Sequence, residues 1–173
     1  AAVPMFHHEA EDFMTEMEDN ALTGHSAFVT GIPWLEVDEA RREFRIYNAI
    51  MASGEGSGVF FKQRLVPFGE YIPMENWLRG AIPFFDMPMT SFTEGPPNQA
   101  PLTVQKLALG PMICYEIAYP DLVRRIASSS DILTTISNDG WFGRSIGPHQ
   151  HFQMVRMRAL ENGREVIRAT NNG

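Results

Sequence analysis

The sequence predicts one layered α/β domain. Strand-like apolar runs alternate with helix-like segments in the second half of the chain, which is typical of a sheet covered by helices. A chain of 173 residues that is 44% hydrophobic and 20% charged can bury a sizeable core, so we treat residues 1–173 as a single domain. The net charge of −7 argues against a protein devoted to nucleic acid, because phosphate binding depends on clustered lysine and arginine.

The first half of the chain predicts a helix followed by strands. Apolar residues recur at helical spacing in an acidic stretch, at Phe6, Ala10, Phe13, Met14 and Met17. Three β-rich runs follow, at 27–35, 44–52 and 58–66. The glycine-rich stretch 54–58 predicts a hairpin turn rather than a phosphate-binding loop, because neither a helix start nor a Lys-Ser/Thr pair follows it.

Residues 73–97 predict a long loop rich in aromatic side chains. The segment has five prolines and no regular hydrophobic period. Loops of this length are often lids or binding segments, although a loop folded over the core fits the composition equally well. Its large apolar side chains include Trp77, Phe84, Phe85, Met87 and Met89.

The second half predicts strands that alternate with two helices. Strand-like runs lie at 107–115, 132–137 and 165–169. Pro120 is placed to open one helix, and Pro148 is placed to open a second helix that Gly163 closes. The first of these strands ends at the chain's single cysteine, Cys114.

Cys114 is a candidate nucleophile because of this position. A cysteine at the end of a strand and just before a helix lies where α/β folds expose reactive groups. A helix N-terminus or a nearby cation lowers a thiol pKa from about 8.5 toward neutrality. A buried structural cysteine fits the position equally well.

Lys62 and Glu70 are candidate partners with open alternatives. Lys62 ends a strand-like run, where it could extend to solvent as a surface lysine or point inward as a cation for a developing oxyanion. Glu70 lies in a turn rich in proline and glycine, where it could cap backbone amides or orient the lysine. Composition alone does not decide between these alternatives.

The order of several motifs resembles the nitrilase, or carbon–nitrogen hydrolase, superfamily. The motifs are Lys-x-x-Leu-Val-Pro-Phe-Gly-Glu-Tyr-Ile-Pro from Lys62, Ile-Cys-Tyr-Glu around Cys114 and Ile-Ser-Asn-Asp-Gly-Trp-Phe-Gly from Ile136. The segments 145–152, 156–161 and 170–173 narrow the resemblance to the apolipoprotein N-acyltransferase family. The resemblance implies a nitrilase-like α-β-β-α sandwich, incomplete at both ends.

The resemblance also implies roles for particular residues. Cys114 matches the nucleophile and Lys62 the catalytic lysine of the family. The general-base glutamate of the family is expected just before Ala1 and is absent from the sequence. Supporting positions match Glu70, Tyr115, Glu116 and Trp141. The loop 73–97 is then expected to face lipid.

The implied reaction is acyl transfer at a membrane. A membrane phospholipid would donate a fatty acyl chain to Cys114 as a thioester, and the amine of a diacylglyceryl apolipoprotein would accept it. We expect the domain on the periplasmic side of a bacterial inner membrane, attached through flanking helices. We expect no cofactor and no nucleic acid. We also expect no metal, because His149 and His151 are two residues apart at a helix start, which favours surface or supporting positions.

Two other functions remain open from the sequence. A soluble nitrilase-type amidase would share the nucleophile, but the loop 73–97 is longer and more apolar than a small polar substrate requires. The absent glutamate also fits an inactive remnant. No apolar run reaches the roughly 18 residues of a membrane-spanning helix, and the start at Ala1 and the stop at Gly173 predict a segment of a longer protein.

Overall fold

The computed structural model describes residues 3–38, 43–71 and 91–171, which form two β-sheets with helices on their outer faces. The strands are β1 Ala27–Asp38, β2 Glu43–Gly54, β3 Gly56–Ser57, β4 Val59–Phe61, β5 Leu102–Val104, β6 Leu107–Ile113, β7 Ile132–Ser137 and β8 Val166–Thr170. The helices are α1 Glu11–Thr23, α2 Pro120–Ala127 and α3 Gly147–Asn162. Short 3₁₀ turns cover His7–Glu9, Cys114–Ala118 and Asp139–Phe142.

The two sheets differ in strand direction. The first sheet has the order β1-β2-β4 and is antiparallel throughout. The second has the order β3-β5-β6-β7-β8, in which β6, β7 and β8 run parallel. Parallel strands bring their carboxyl ends to one edge of a sheet, so the residues that follow β6, β7 and β8 meet there.

Buried side chains hold four layers together. Successive side chains of β2 point to opposite faces of the first sheet, so that Ala49 packs in the cluster beneath α1 and Ile50 in the cluster between the sheets. The cluster beneath α1 contains Val3, Ala10, Met14, Ile32 and Ala49. The cluster between the sheets and beneath α2 and α3 contains Ile50, Ala52, Phe60, Leu102, Leu109, Met112, Ile113, Ile117, Leu122, Val123, Ile126, Ala127, Leu133 and Val155. The predicted α-β-β-α sandwich is therefore confirmed.

Most predicted elements occur close to their expected bounds. Pro120 opens α2, and α3 begins at Gly147 and ends at Gly163, whose φ of 57° is the left-handed conformation of a helix C-cap. The 54–58 stretch turns β2 back onto β4 as predicted, and its short strand β3 also pairs with β5 of the second sheet. The first helix starts at Glu11, later than the apolar repeat indicated, because residues 7–9 form a 3₁₀ turn.

Two predicted strands are shorter than expected, for a physical reason. The run 58–66 is a strand only to Phe61, because carboxylates bind the backbone N–H groups of Gln63, Arg64 and Val66. The run 107–115 is a strand only to Ile113, because Cys114 has a φ of 55°. The strand β5 was not predicted at all.

The predicted loop 73–97 lies only partly within the described residues. Residues 91–97 contain neither helix nor strand. Their backbone forms hydrogen bonds with β2 and with Lys62, the residue that follows β4. Thr93 donates its N–H to Ile46 at 2.6 Å, and Gly95 donates to Lys62 at 2.7 Å. The five large apolar residues named above, from Trp77 to Met89, lie outside the described residues.

We predict that Gly110→Ala destabilises the fold. Gly110 lies in β6, where an added Cβ would come within 2.6 Å of Cγ2 of Ile126 and 2.8 Å of Cδ2 of Leu133. Overpacking of this kind costs about 2 kcal/mol, which urea denaturation would measure. Gly24→Ala is the matched control, because the nearest atom to its new Cβ is 3.4 Å away. Equal stability of the two variants would contradict the prediction.

Candidate active site

An open cleft of about 520 Å³ lies where the parallel strands end and meet the first sheet. Its walls come from β1 and β2 on one side and from the ends of β6, β7 and β8 on the other. The lining residues include Gly31, Asn48, Glu70, Cys114, Ser137 and Trp141. Three predicted site residues therefore share one cleft: Cys114, Glu70 and Trp141.

Cys114 begins the turn that follows β6. It has a free thiol, is half-buried, and has a φ of 55°, a left-handed conformation that is costly for a residue with a Cβ. Two side chains hold the turn on either side of it. Glu116 accepts the N–H of Ile113 at 2.8 Å, and Nε2 of His151 lies 3.2 Å from the carbonyl oxygen of Cys114. The surrounding structure thus fixes a sharp turn that presents the thiol to the cleft.

Lys62 is buried, which excludes the surface alternative for this lysine. Its side chain is 1% exposed, and Nζ lies 2.7 and 2.6 Å from the two carboxylate oxygens of Glu70. Glu70 also accepts a hydrogen bond from the side-chain amide of Asn48 at 3.0 Å and one from the backbone N–H of Val66 at 2.8 Å. The carboxylate therefore both orients the lysine and closes the turn around it.

Glu116 connects the lysine segment to the cysteine turn. Oε1 accepts the backbone N–H groups of Gln63 at 2.7 Å and Arg64 at 3.0 Å, and Oε2 accepts that of Ile113. The side chain is fully buried. Burial raises the pKa of Glu116, while the three backbone N–H groups and the nearby charge of Lys62 oppose that rise. The contacts fix the chain after Lys62 relative to the chain before Cys114.

A second buried carboxylate, Asp139, lies behind the cysteine. Oδ1 of Asp139 accepts the hydroxyl of Ser137 at 2.6 Å and lies 3.0 Å from Nδ1 of His151, and Oδ2 accepts from Arg168. Burial alone raises the pKa of Asp139. The hydrogen bonds from Ser137 and His151 and the charge of Arg168 outweigh this effect and hold the pKa below its ordinary value.

The same group of side chains reaches the thiol of Cys114. The Oγ atom of Ser137 lies 3.4 Å from Sγ of Cys114. The imidazole of His151 lies between Asp139 and the carbonyl of Cys114, two oxygen acceptors, so it fills both contacts when each ring nitrogen carries a hydrogen.

The remaining predicted residues have different surroundings. Tyr115 is 39% exposed and packs edge-to-face on Tyr119, and Trp141 is 87% exposed at the mouth of the cleft. His149 is exposed, in line with the expectation, while His151 is 2% exposed and supports the cysteine turn.

Sequence reasoning missed several polar residues of the site. These are Asn48, Ser137, Asp139 and Arg168. One signal was available for two of them, because Ser137 and Asp139 follow a predicted parallel strand that ends at the same edge as the cysteine strand.

The described residues contain no group of three or more His, Cys, Asp or Glu side chains arranged to hold a metal ion. In the same part of the chain, no helix has both the length and the apolar character needed to cross a membrane.

We predict that Asp139→Asn weakens the fold in a pH-dependent way. The lowered pKa of Asp139 stabilises the folded state above the ordinary value of 3.8, and this contribution is lost as the pH falls below that value. At neutral pH the variant should lose about 3 kcal/mol, because Arg168 loses its buried partner. Urea denaturation at several pH values would measure a difference from the unchanged chain that shrinks in acid. A difference that is constant with pH would contradict the prediction.

Solved structures share this fold. A carbon–nitrogen hydrolase from Helicobacter pylori aligns with 98% of this chain and 55% of its own, with a TM-score of 0.64 and 20% identity. The NitFhit protein of C. elegans aligns with 94% of this chain and 37% of its own, with a TM-score of 0.62 and 16% identity. At these identities the likeness concerns the fold alone.

Sequence relatives are closer. Proteins named apolipoprotein N-acyltransferase are 51% identical to this chain in Pseudomonas putida, 50% in Azotobacter vinelandii and 40% in Vibrio parahaemolyticus. The alignments cover 99–100% of this chain, which spans about a third of the length of those relatives, at 34%, 33% and 35%. The family model described as carbon-nitrogen hydrolase matches residues 4–173. The chain belongs to the carbon–nitrogen hydrolase family.

Proposed function

We propose that this chain is the catalytic domain of an apolipoprotein N-acyltransferase, with Cys114 as the nucleophile. The observation that carries the proposal is the half-buried thiol in a fixed left-handed turn, in a cleft shared with Glu70, the partner of buried Lys62. Relatives of that name at 40–51% identity support the reaction class. The acyl donor is a membrane phospholipid, and the acceptor is the free amine of a diacylglyceryl apolipoprotein.

The first half-reaction transfers the acyl chain to the enzyme. The Cys114 thiol gives its proton to a general base, and Sγ attacks the ester carbonyl carbon of the phospholipid. A C–S bond forms and the ester C–O bond breaks, and the base returns the proton to the departing alkoxide. The products are an acyl thioester on Cys114 and a lysophospholipid.

The second half-reaction transfers the acyl chain to the lipoprotein. The amine loses a proton to the base and attacks the thioester carbonyl, so that an amide C–N bond forms and the C–S bond breaks. The thiolate then recovers its proton. Water must be excluded between the two steps, because hydrolysis of the thioester would give a free fatty acid.

Lys62 is proposed to stabilise the oxyanion in both steps. A cation or N–H group aimed at that oxygen acts most strongly in a buried site, and the backbone amide of Tyr115 is the second proposed donor. The burial of Lys62 and its two contacts with Glu70 support this role, since they hold the ammonium group in one orientation. Glu116 is proposed as a structural link between the two catalytic segments.

The general base is proposed to be a glutamate just before Ala1. Val3 donates its backbone N–H to Gly31 at 3.1 Å, and Gly31 lines the cleft. This contact supports the proposal, because it holds Val3 next to a strand that lines the cleft. Because the chain as given holds no such glutamate, we expect residues 1–173 alone to be inactive in acyl transfer.

The apolar surroundings of the cleft support a lipid substrate. The cleft lining contains the apolar residues Val29, Ile113, Ile136, Trp141 and Ala169, and Trp141 is 87% exposed. Contiguous apolar surface of this kind often marks lipid or protein contacts. The loop 73–97 is proposed as a lid that receives acyl chains, through Trp77, Phe84, Phe85, Met87 and Met89. The domain would then face the membrane from the periplasmic side, with flanking transmembrane segments that hold it there.

We predict that Cys114→Ala abolishes the acyl-enzyme intermediate in a full-length version that carries the expected segments on both sides of the domain. The unchanged protein, mixed with vesicles of radiolabelled phospholipid and no acceptor, should retain label that neutral hydroxylamine releases, as expected of a thioester. The variant should retain none, because it lacks the attacking sulfur. Hydroxylamine-sensitive label on Cys114→Ala would disprove the assignment of the nucleophile.

We predict that Lys62→Met lowers kcat/KM by about 100-fold or more, since one lost oxyanion donor costs about 3 kcal/mol. The measurement is transfer of labelled acyl groups to a lipoprotein peptide. Lys106→Met is the matched control, because Lys106, the chain's other lysine, is exposed in a turn away from the cleft. Circular dichroism would verify folding, since Lys62→Met also leaves Glu70 without its cation. A folded variant with unchanged kcat/KM would contradict the role of Lys62.

A further inference from the structure

We propose that Ser137, Asp139 and His151 form a positioning network that orients the thiol of Cys114 and stabilises its thiolate. The inference rests on the proposed role of Cys114 as nucleophile. Ser137 makes the direct contact with sulfur, and Asp139 and His151 hold Ser137 and the cysteine turn in place. Arg168 fixes the far side of Asp139.

The contact between Ser137 and Cys114 can change with the charge of the sulfur. A serine hydroxyl carries one hydrogen, and in the resting state the 2.6 Å contact to Asp139 takes it. Oγ then offers a lone pair to the S–H of Cys114 across 3.4 Å. When the thiol loses its proton, the hydroxyl can turn and donate to the thiolate.

This exchange gives the thiolate a hydrogen-bond donor in place of a weak contact. A hydrogen bond to an ionised acceptor is about twice as strong as one between neutral groups, and S–H is a weak donor. The bond to Asp139 that the hydroxyl gives up is also charge-assisted, so the exchange depends on the other partners of that carboxylate. Both carboxylate oxygens of Asp139 keep a partner when the hydroxyl turns away, because His151 continues to contact Oδ1 and Arg168 continues to contact Oδ2. The network thereby provides the thiolate with a donor and leaves no buried carboxylate oxygen without a partner.

His151 fixes the backbone of the same residue. Its ring lies between Oδ1 of Asp139 at 3.0 Å and the carbonyl oxygen of Cys114 at 3.2 Å, and it is 2% exposed. The left-handed φ of 55° at Cys114 is a conformation that persists only where neighbouring groups enforce it. A contact on the carbonyl of that residue is placed to enforce it.

Alkylation of the chain with iodoacetamide tests the network directly, because Cys114 is its single cysteine and no lipid is needed. Ser137→Ala should lower the second-order rate constant at neutral pH roughly three- to tenfold, the effect of one lost hydrogen bond. Ser137→Thr keeps the hydroxyl and should react within about twofold of the unchanged chain. Ser128→Ala is the matched control, because its exposed hydroxyl donates to the carbonyl of Arg125 at the end of α2 and Ser128 does not line the cleft.

His151→Phe tests the second part of the network. The ring shape remains, but the contacts with Asp139 and Cys114 are lost, so alkylation should slow by a similar factor while far-ultraviolet circular dichroism remains unchanged. His149→Phe is the matched control, since His149 is exposed. If Ser137→Ala does not fold, Ser137→Thr and His151→Phe decide the result.

Specific outcomes would overturn the proposal. These are alkylation at the unchanged rate, or faster, in folded Ser137→Ala or folded His151→Phe, and a Ser137→Thr variant as slow as Ser137→Ala. The thioester experiment on Cys114→Ala is independent of these measurements. A positioned thiol that never carries an acyl group would therefore disprove the proposed function without disproving the network.

Discussion

The buried carboxylate of Glu116 is the interaction on which the geometry of the candidate site depends. It accepts three backbone N–H groups, from Gln63, Arg64 and Ile113, that belong to segments about 50 residues apart in sequence. Burying a carboxylate away from water is costly unless its oxygens are hydrogen-bonded, and here both oxygens are. The N–H of Lys62 still donates to the carbonyl of Asn48 in β2 at 2.8 Å. The bonds from Gln63 and Arg64 to Glu116 then draw the chain away from the sheet and connect it to the cysteine turn.

The topology of the second sheet provides the rest of the site. Because β6, β7 and β8 are parallel, Cys114, Ser137 and Thr170 emerge at one edge of the sheet. The first sheet closes the opposite wall of the cleft with Gly31 and Asn48. The site therefore exists only when the two sheets are packed, which links its geometry to the apolar cluster between them. Overpacking at Gly110 in β6 would act on the same cluster.

The apolar periodicity predicts a layered α/β domain, and the family resemblance adds the α-β-β-α order of the layers. Neither predicts where the two strands next to the site end. Hydrophobic spacing is a local property, and it correctly indicated α2, α3 and the strands around them. The runs 58–66 and 107–115 look like continuous strands in the sequence. The first ends because Glu116, a partner distant in sequence, and Glu70 bind its backbone N–H groups. The second ends because Cys114 has a left-handed φ of 55°. Motif order indicates Cys114, Lys62 and Glu70 as candidates, whereas it does not pair Asp139 with His151, because a buried contact between side chains 12 residues apart leaves no periodic pattern.

The three carboxylates around the site differ in their partners, and this difference bears on the proposed base. Glu70 is occupied by a lysine ammonium group, Glu116 by backbone N–H groups, and Asp139 by a hydroxyl, an imidazole and a guanidinium.

A general base must have a free lone pair within reach of the thiol proton. Glu70 is the only carboxylate among the described residues that line the cleft, and both of its oxygens already bind Lys62. If Glu70 took the thiol proton, it would lose the charge that holds the lysine. A separate glutamate would leave the contacts between Glu70 and Lys62 intact through both proposed half-reactions, so that the lysine stays oriented for oxyanion stabilisation.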